Sequence, residues 1–456
     1  MPSVADVRSS MIENVRSVIE EHFENQNPTI SGRIQSSSKV EQISRYLYRA
    51  PFERQPGGIF GKYNPDGGAF HLGSSLDMLH LTAGYVPSQL SYRATQEQIK
   101  STENREVAVT PYLARQMASA TRTFQIMLDI AFFGSGTGVL TDSSSAITGT
   151  SGLTLGTGNL GVSRLRQGMG VDVWDVNLST KRSPASAASP LYIVSIDYAN
   201  RKVVLNQNVT GLTQGDVLAF KGLDSTFSAG SPAALTSFAA GWPTAPGSQT
   251  ANQVLGGDSY MHGMYYAHDA ITTNYFLGQL KSTVPTLLSE NVAVNGAITF
   301  SHGKQLLDQL ATRWDESVTA GIEFIFHPTQ ARQVWEIGAA ISNVYVAGAN
   351  KLGSIPDLGD PKTQSGETFS YCGKTAHIWK RQDPTRVDAI RFQDWGRTQA
   401  WPFQLYDQFD GRKFIQGYDS DGRPTTYIEW VHTYAADWIC FNPGKSGYLS
   451  GLTVPA

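Results

Sequence analysis

The stretch TPYLARQMASATRTFQIMLDIAFFGSGTGVL, residues 110–140, decides how this chain is interpreted. Thr110 offers a hydroxyl N-cap and Pro111 suits the first helical position, so a helix is predicted to begin here. Apolar residues then recur every three or four residues until Gly134, which predicts a helix over residues 111–133 with one apolar stripe. Such a helix is typical of the spine of a domain. Its predicted core side chains are Leu113, Met117, Phe124 and Met127.

The opposite face of this spine helix is predicted to be polar, and it carries Arg115, Arg122 and Asp129. Beyond it, Asp142 is the one charged residue between Asp129 and Arg164. Short β-type runs follow, separated by turn signals, at 171–176, 191–196, 202–205 and 217–220. Several short strands at this spacing predict a small β-barrel or sandwich inserted at residues 160–225.

Upstream of the spine helix the chain divides into two parts. Residues 4–24 have the pattern of an amphipathic helix, which either packs on another subunit as an arm or docks on its own core. Residues 50–105 are too rich in Gly and Pro for a helix, and their short β-type runs predict a long two-stranded extension. The arm helix is predicted to use Val4, Val7, Met11, Val15 and Val18 between subunits.

Downstream, the pattern is mixed. Residues 304–317 predict a helix, 322–326 a strand and 329–340 another helix, which indicates an α+β or α/β class. The last part is β again, with strands predicted at 399–406, 412–418 and 425–433 and hairpin turns at Asp410-Gly411 and Asp421-Gly422. Most tryptophans lie from Trp314 onward, which predicts a core built largely from the C-terminal half.

The composition of the 456-residue chain is poor in charge: its net charge is −3, and charged residues make up 16% against about 25% in typical domains. No Lys or Arg lies between Lys221 and Lys281, which argues against a phosphate-tracking groove there. Cys372 and Cys440 fit no metal spacing and are interpreted as reduced thiols. No signal peptide or membrane span is recognised, so the chain is expected to be soluble and made in a cytoplasm.

Motifs for catalysis or ligand binding are weak. The glycines of Gly134–Gly138 follow a helix rather than precede one, which does not suit a phosphate cradle. Asp419–Gly422 lacks the flanking carboxylates of a calcium loop. His262 and His268 are six residues apart, which does not suit a zinc pair on one helix face. No catalytic, cofactor-binding or metal-binding residue is therefore predicted, although a glycosidase-like carboxylate pair remains open.

Taken in order, these elements resemble a major capsid (coat) protein of tailed bacteriophages, whose fold is shared with herpesviruses. The resemblance rests on the arm, the extension and the spine helix that runs into Phe132–Leu140. It continues in Arg164–Val173, which is similar to the inserted β-domain of one subgroup, and in Ile322–Thr329, which is similar to the strand entering an axial-domain helix. The implied fold is α+β, with an N-terminal arm, an extended loop, a spine-helix peripheral domain, an axial domain and an inserted β-barrel-like domain.

The resemblance implies a division of the chain into six parts. These are the N-terminal arm with its helix (1–49), the extended loop (50–106), the spine helix with the start of the peripheral and axial core (107–159), the inserted β-domain (160–225), the axial domain with the remaining core (226–390) and the C-terminal β-rich part of the peripheral domain (391–456).

The function that this resemblance implies is structural. Many copies, as pentamers and hexamers, would self-assemble into an icosahedral shell around double-stranded DNA, in the host cytoplasm and then in the virion. The implied partners are other copies, a portal and DNA held close without specific binding, with no membrane and no cofactor. An arm helix that begins near residue 3 favours a separate scaffolding protein. A decoration protein is left open.

Three alternatives remain. One is another repeated virion protein, such as a tail tube or sheath subunit, although the long helix at 111–133 argues against it. The second is a β-rich carbohydrate-active hydrolase, which would need a cleft with two carboxylates. The third is a carbohydrate-binding or adhesion module that uses residues 160–225. The capsid hypothesis predicts no enzymatic activity, whereas the hydrolase alternative predicts catalysis.

Overall fold

The computed structural model describes most of the chain beyond residue 29. The described residues are 30–34, 40–44, 47–55, 77–95, 109–134, 136, 138–142, 152–155, 162–175, 180–184, 190–198, 200–213, 215–222, 261–268, 270, 272, 275–277, 279–346, 368–406, 415–418 and 424–454. The predicted arm helix, with Val4, Val7, Met11, Val15 and Val18, lies outside them. So do the predicted turns at Asp410-Gly411 and Asp421-Gly422.

The helices of the described residues include the predicted spine. They are α1 (Val109–Phe132), α2 (Met264–Ala267), α3 (Phe300–Arg313), α4 (Glu316–Ala320) and α5 (Pro328–Val346). The spine prediction is confirmed by α1. The single helix predicted over 304–317 is wrong in one respect, because the chain turns at Trp314 and Asp315 into a second helix. Asp315 accepts a hydrogen bond from the Glu316 backbone N–H at 2.6 Å, so it caps α4.

The strands are mostly short. In chain order they are β1 (Glu41–Ser44), β2 (Leu47–Gln55), β3 (Asp77–Ala83), β4 (Val86–Thr95), β5 (Val139–Asp142), β6 (Gly152–Thr154), β7 (Val171–Trp174), β8 (Ile193–Asp197), β9 (Lys202–Leu205), β10 (Val217–Phe220), β11 (Tyr275–Phe276), β12 (Gln279–Leu280), β13 (Glu290–Gly296), β14 (Glu323–Phe326), β15 (Thr368–Tyr371), β16 (Lys374–Ile378), β17 (Val387–Ile390), β18 (Trp395–Leu405), β19 (Ile415–Tyr418), β20 (Pro424–Cys440) and β21 (Gly447–Leu452).

The largest sheet has six strands in the order β13-β21-β17-β14-β16-β15. It is mixed, because β13 with β21 and β14 with β16 pair in parallel while the other neighbours are antiparallel. Leu306 and Leu310 of α3 and Val334 of α5 are buried in one core with Phe324 and Phe326 of β14. The alternation of helices and strands in this part of the sequence therefore produces an α/β layer.

A second sheet holds the spine helix. Its longest strand, β20, pairs antiparallel with β18 and β19, and it also pairs antiparallel with β4 from the extension. Phe124 of α1 lies on this sheet, with ring centroids 4.5 Å from Phe403 of β18 and 5.4 Å from Tyr434 of β20. The spine thus packs on a sheet whose strands come from both before and after it in the chain.

The extension is divided between two sheets. The strands β2 and β3 pair antiparallel from Tyr48 opposite Ala83 to Gln55 opposite Asp77, and β1 pairs with β2. The next β-type run of the sequence, in β4, leaves this sheet and joins β20. Phe52 and Leu81 on the inner face of the β2–β3 pair are buried, because that face packs on the larger core.

The β-rich segment after the spine is not a closed barrel. Its strands form two three-stranded sheets, β5-β10-β7 and β6-β9-β8, linked by an isolated bridge between Gly170 and Tyr192. The barrel-like form expected from the sequence is therefore corrected to a pair of open sheets. Closure would need an unbroken ladder of hydrogen bonds, whereas these strands are short and β7 and β10 are buried along their whole length.

The larger core is shared between both halves of the chain. It begins with Ile30, includes Phe132 and Phe133 of the spine, Val171 of β7 and Tyr265, and reaches Phe441. The prediction of a core built largely from the C-terminal half is therefore wrong. Tryptophan position is a poor guide here, because aliphatic side chains and phenylalanines of the N-terminal half contribute as much to this core.

Candidate functional site: a buried polar junction at the end of the spine helix

The C-terminal end of α1 meets several other segments of the chain. The Phe132 ring packs edge-on against Trp395 and Trp438, with centroids 5.1 and 5.4 Å away. Two backbone segments also approach closely at Gly263. A Cβ on this residue would lie 2.3 Å from the carbonyl oxygen of Gly134. Only glycine allows this approach, since real Cβ atoms essentially never come within 3.0 Å of such an atom.

Asp129 is the first buried charge of the junction. Its Oδ1 accepts a hydrogen bond from the backbone N–H of Ser31 at 3.1 Å, and its Oδ2 accepts one from the indole N–H of Trp379. Burial raises the pKa of Asp129 to about 6, even though these hydrogen bonds and the nearby charge of Arg381 act to lower it. The carboxylate links the spine to the segment at residue 31 and to the loop after β16.

Arg164, which lies near the start of the predicted inserted domain (160–225), is also fully buried. Its Nη2 donates a hydrogen bond to the Phe133 carbonyl at 2.6 Å, and its guanidinium lies 5.4 Å from the centroid of the Tyr265 ring. A cation at the carboxyl end of a helix is favoured by the helix dipole and satisfies an orphan carbonyl. Burial lowers the pKa of Arg164 to about 10, so the group stays charged at neutral pH.

Tyr265 connects this end of the helix to the six-stranded sheet. Its hydroxyl donates to Gln382 Oε1 at 3.0 Å and accepts from the backbone N–H of Asp383 at 2.9 Å. The Arg386 guanidinium lies 4.4 Å from its ring centroid. Burial raises the pKa of the Tyr265 hydroxyl, so the phenol remains a neutral donor.

Arg386 and Asp388 form a buried ion pair beside Tyr265. Arg386 Nη2 donates to Asp388 Oδ1 at 2.6 Å and to the His268 carbonyl at 2.8 Å. Gln382 Nε2 donates to Asp388 Oδ2 at 2.6 Å. Burial alone would raise the pKa of Asp388, but the guanidinium of Arg386 outweighs it and holds that pKa below its ordinary value. The pair is ionised, and both members have several partners, as a buried pair requires.

A second carboxylate ties β20 to the same region. Asp437 Oδ1 accepts the backbone N–H groups of His262 and Trp438 at 2.7 and 2.8 Å. Its Oδ2 lies 2.5 Å from His262 Nδ1, and the His262 ring packs on Tyr266 with centroids 4.6 Å apart. The carboxylate thus holds the segment before α2 against the end of β20.

The junction connects several segments of the chain. Its charged groups are buried, each pairs with backbone or side-chain partners, and together they hold the spine, the residues after it, the segment before α2 and the loops of the six-stranded sheet. Removing one member of such a network leaves a buried group unpaired, which costs far more than an exposed contact. The arrangement is suited to fixing the relative placement of these segments.

Outside the junction, the described residues include an open groove but no cluster of metal ligands. Across the residues that the structure describes, no group of three or more His, Cys, Asp or Glu side chains could hold a metal ion. An open groove of about 620 Å³ lies along α3. Its charges pair with one another, Arg313 with Glu290 at 2.5 Å and Lys304 with Asp308 at 3.1 Å. In the described part of the chain, no helix is both long enough and apolar enough to span a membrane.

The side chains predicted for the spine helix differ in their burial and in whether the structure describes them. Phe124 is buried, and Met127 is partly buried and packs on the larger core. Leu113 and Met117 belong to α1, but their side chains lie outside the described residues. Asp129 was expected on the polar face of the helix and is instead fully buried. The signal that could have shown this is its neighbourhood, since the sequence MLDIAFF surrounds it with apolar residues.

The comparisons with known proteins are structural. No protein-family model matches the chain, and no curated protein matches it. The capsid of cyanophage A-1(L) is similar, with 9% sequence identity over 93% of this chain and 93% of that chain and a TM-score of 0.47. The capsid of an empty GTA particle has 8% identity, covers 93% of this chain and 90% of its own, and has a TM-score of 0.43.

A third similar structure is the mature capsid of bacteriophage PhiM1. It has 8% sequence identity, covers 92% of this chain and 86% of its own, and has a TM-score of 0.39. All three are capsid structures, the class of protein that the resemblance in sequence names. Each of these similarities extends over at least 92% of this chain.

Proposed function

We propose that this chain is a major capsid protein, a structural subunit that self-assembles into an icosahedral shell around a double-stranded DNA genome. The observation that carries the proposal is the placement of α1. This helix lies on a sheet that includes β4 from the extension, and its end is joined to the six-stranded sheet through Asp129 and Tyr265. The order of the extension strands, the spine helix, the β-rich segment and the α/β layer in the described residues supports the division of the chain that we propose from the resemblance.

The surface also suits repeated contacts between copies. Large apolar side chains are exposed on β1, β3 and the β8–β9 hairpin, where Ile43, Met78, Val194 and Val204 are between 36% and 47% exposed. In the proposal, these exposed side chains are candidate contacts with other copies. In the proposal, one copy meets its neighbours through these strands and through the arm of residues 4–24.

The enzymatic alternative has less support. The carboxylates of the junction, Asp129, Asp388 and Asp437, are buried and occupied by hydrogen-bond donors. A glycosidase needs two carboxyl groups that flank a substrate in an accessible cleft. The groove along α3 is open, but its carboxylates are held in ion pairs. We propose accordingly that the chain acts as a structural protein and not as an enzyme.

The partners in this proposal are first of all other copies, arranged as pentamers and hexamers. From the resemblance, we also propose three further partners: a separate scaffolding protein, a portal and a decoration protein. Co-expression with proteins encoded beside this chain, followed by isolation of any particles, tests each of them. A particle that forms only with one co-expressed protein would identify the scaffold.

The test of the main proposal is negative-stain electron microscopy of the purified full-length protein, with and without a molecular crowder, beside sedimentation velocity. Closed shells, sheets, or rings of five or six subunits are the expected result. A protein that stays monomeric at every concentration, with crowder and with co-expressed neighbours, contradicts the proposal. Hydrolysis of a glycan by the same preparation would favour the enzymatic alternative.

A further inference from the structure

The short segment at residues 30–34 is held on the folded core by two kinds of contact. Ile30 and Ile34 are buried in the larger core. Arg33 turns toward the six-stranded sheet and forms a two-point ion pair with Glu323 of β14, with Nη1 to Oε2 at 2.8 Å and Nη2 to Oε1 at 3.1 Å. Its guanidinium also lies over the Phe392 ring at 4.2 Å.

His377 adds a third member to the ion pair. It lies on β16, whose parallel pairing with β14 sets His377 opposite Ile325, so that both His377 and Glu323 are fixed to the sheet. Its Nε2 is 2.6 Å from Arg33 Nη1 and also contacts Glu323 Oε2. One imidazole nitrogen therefore faces a guanidinium and a carboxylate at the same time.

These two contacts exclude one another chemically. A guanidinium can only donate hydrogen bonds, and an ionised carboxylate can only accept them. Neutral Nε2 without a proton accepts from Arg33 and gives nothing to Glu323. Protonated Nε2 donates to Glu323 and sets a positive charge against Arg33. Nε2 can accept from Arg33 only in the neutral tautomer that carries its proton on Nδ1, so protonation of the ring always ends this contact with Arg33.

We infer that Arg33, Glu323 and His377 form an acid-sensitive clasp, which holds residues 30–34 on the core at neutral pH and loosens as the pH falls. The inference concerns the attachment of this segment within one chain, so it stands whether or not the proposed assembly function is correct. The clasp opens on the Arg33 side, because Glu323 and His377 share one sheet and Arg33 does not.

The surroundings of His377 support this direction. The charged groups that act on it are Glu323 from β14 and Arg33 from the N-terminal segment. Two further described neighbours are uncharged: Phe392, whose ring is T-shaped to that of His377 with centroids 6.2 Å apart, and Thr368 of β15, the backbone partner. Burial lowers the pKa of His377 and the Arg33 charge adds to this, against the opposing effect of Glu323. The ring is accordingly neutral at pH 7 and protonates on acidification.

Hydrogen exchange of the purified full-length protein tests the clasp. The amides of Arg33 and Ile34 donate to the carbonyls of Ile30 and Ser31, both at 3.1 Å, so their exchange reports on the segment. After correction for the intrinsic chemical rate, their protection is expected to fall about fivefold between pH 7.5 and pH 5, the scale of a half-exposed ion-pair contact.

The decisive variant is His377→Gln. A glutamine amide can accept from Arg33 with its oxygen and donate to Glu323 with its nitrogen, and it does not titrate. We expect its protection to change much less than that of the wild type across the same pH range. The matched control is His302→Gln at the start of α3, which should keep the wild-type profile. Asp129 also contacts this segment, and any slope that remains in His377→Gln belongs to it.

Two results would overturn the inference. One is a His377→Gln profile that is as steep as that of the wild type, which would assign the pH dependence to another group. The other is wild-type protection that does not change over this range. Arg33→Met is a further check: the clasp predicts faster exchange at pH 7.5 and no additional loss on acidification attributable to His377.

Discussion

Trp379 donates its indole N–H to the carboxylate of Asp129, a residue 250 positions earlier in the chain. This one hydrogen bond joins the loop after β16 to the last turn of the spine helix. The same carboxylate accepts the backbone N–H of Ser31, so three distant parts of the sequence meet at one buried group. The stability of the junction should therefore depend on the ionisation of Asp129.

The first prediction concerns that ionisation. Because the folded-state pKa of Asp129 is about 6 and its ordinary value is 3.8, the folded protein binds this proton more tightly than the unfolded chain. The contribution of Asp129 to the free energy of unfolding is therefore fully present below about pH 4. It is lost as the pH rises through 6. Asp129→Asn should remove that dependence, which amounts to at most about 3 kcal/mol.

The measurement is urea unfolding of both proteins at pH 4 and pH 7. Asp129→Asn should be destabilised more at pH 4 than at pH 7, since the wild type gains its protonated form only at low pH. Asp308→Asn is the control, because Asp308 is exposed on α3. An equal loss at both pH values would mean that Asp129 does not titrate as described.

A second prediction concerns His432 in the sheet beneath the spine. Its ring stacks between Tyr92 and Phe403, with centroids 5.5 and 4.8 Å away, and burial lowers its pKa to about 4. The folded-state pKa is depressed, so stability is present above about pH 6.5 and is lost as the pH falls toward 4. Because of this ring, the free energy of unfolding is expected to be about 2 kcal/mol lower at pH 5 than at pH 8.

His432→Phe should keep the aromatic stack and remove this cost. Thermal unfolding is expected to show a smaller decrease in Tm between pH 8 and pH 5 for the variant than for the wild type. His80→Phe, at an exposed position of β3, adds the same ring without touching the stack. If both variants had the wild-type pH dependence, His432 would not be the group responsible.

A third prediction tests how the spine is held. Phe124 is 3% exposed and lies between Phe403 and Tyr434. Phe124→Ala should reduce the free energy of unfolding by about 3–5 kcal/mol, the usual cost of removing a buried aromatic ring. The matched control is Arg122→Ala on the exposed face of the same helix, with an expected change within about 0.5 kcal/mol. Similar losses for both would argue against the packing described.

A fourth prediction uses a glycine of the α/β layer. A Cβ on Gly303 of α3 would lie 2.3 Å from Cε1 and 2.7 Å from Cζ of Tyr371, whose ring is buried. Gly303→Ala should therefore destabilise the protein by about 1–3 kcal/mol through overpacking, although alanine favours helices. At Gly296 the nearest atom would be 3.8 Å away, so Gly296→Ala is the control and should be nearly neutral in denaturant unfolding.

A fifth prediction addresses the proposed assembly. If the arm helix packs on a neighbouring copy, Val7→Asp with Val15→Asp should abolish shells and sheets in negative stain while Tm stays unchanged. Ser9→Asp with Ser17→Asp adds the same charge on the other side of the predicted helix and should assemble normally. A loss of Tm in the valine variant alone would instead indicate that the arm docks on its own core.

The candidate site was only partly predictable from sequence. The helix and its end were recognisable because the spacing of apolar residues and a terminal glycine are local signals. Asp129 was assigned to the polar face because periodicity treats a carboxylate as exposed. Its partners Ser31 and Trp379 are far away in sequence, and no local pattern indicates that they meet. Arg164 was likewise assigned to the predicted β-domain, and its hydrogen bond to the end of the spine helix was not predicted.

The sequence by itself determined the local elements: where α1 begins and ends, the strands of the β-rich segment, the α/β alternation after residue 300 and the β-rich end. These follow from residues within a few positions of one another. Only the tertiary structure decided which strands pair, with β4 joining β20 instead of β3, with two open sheets in place of a barrel, and with a core drawn from both halves of the chain. Pairing and burial depend on contacts between residues hundreds of positions apart, whose free energy arises only when both partners leave water together.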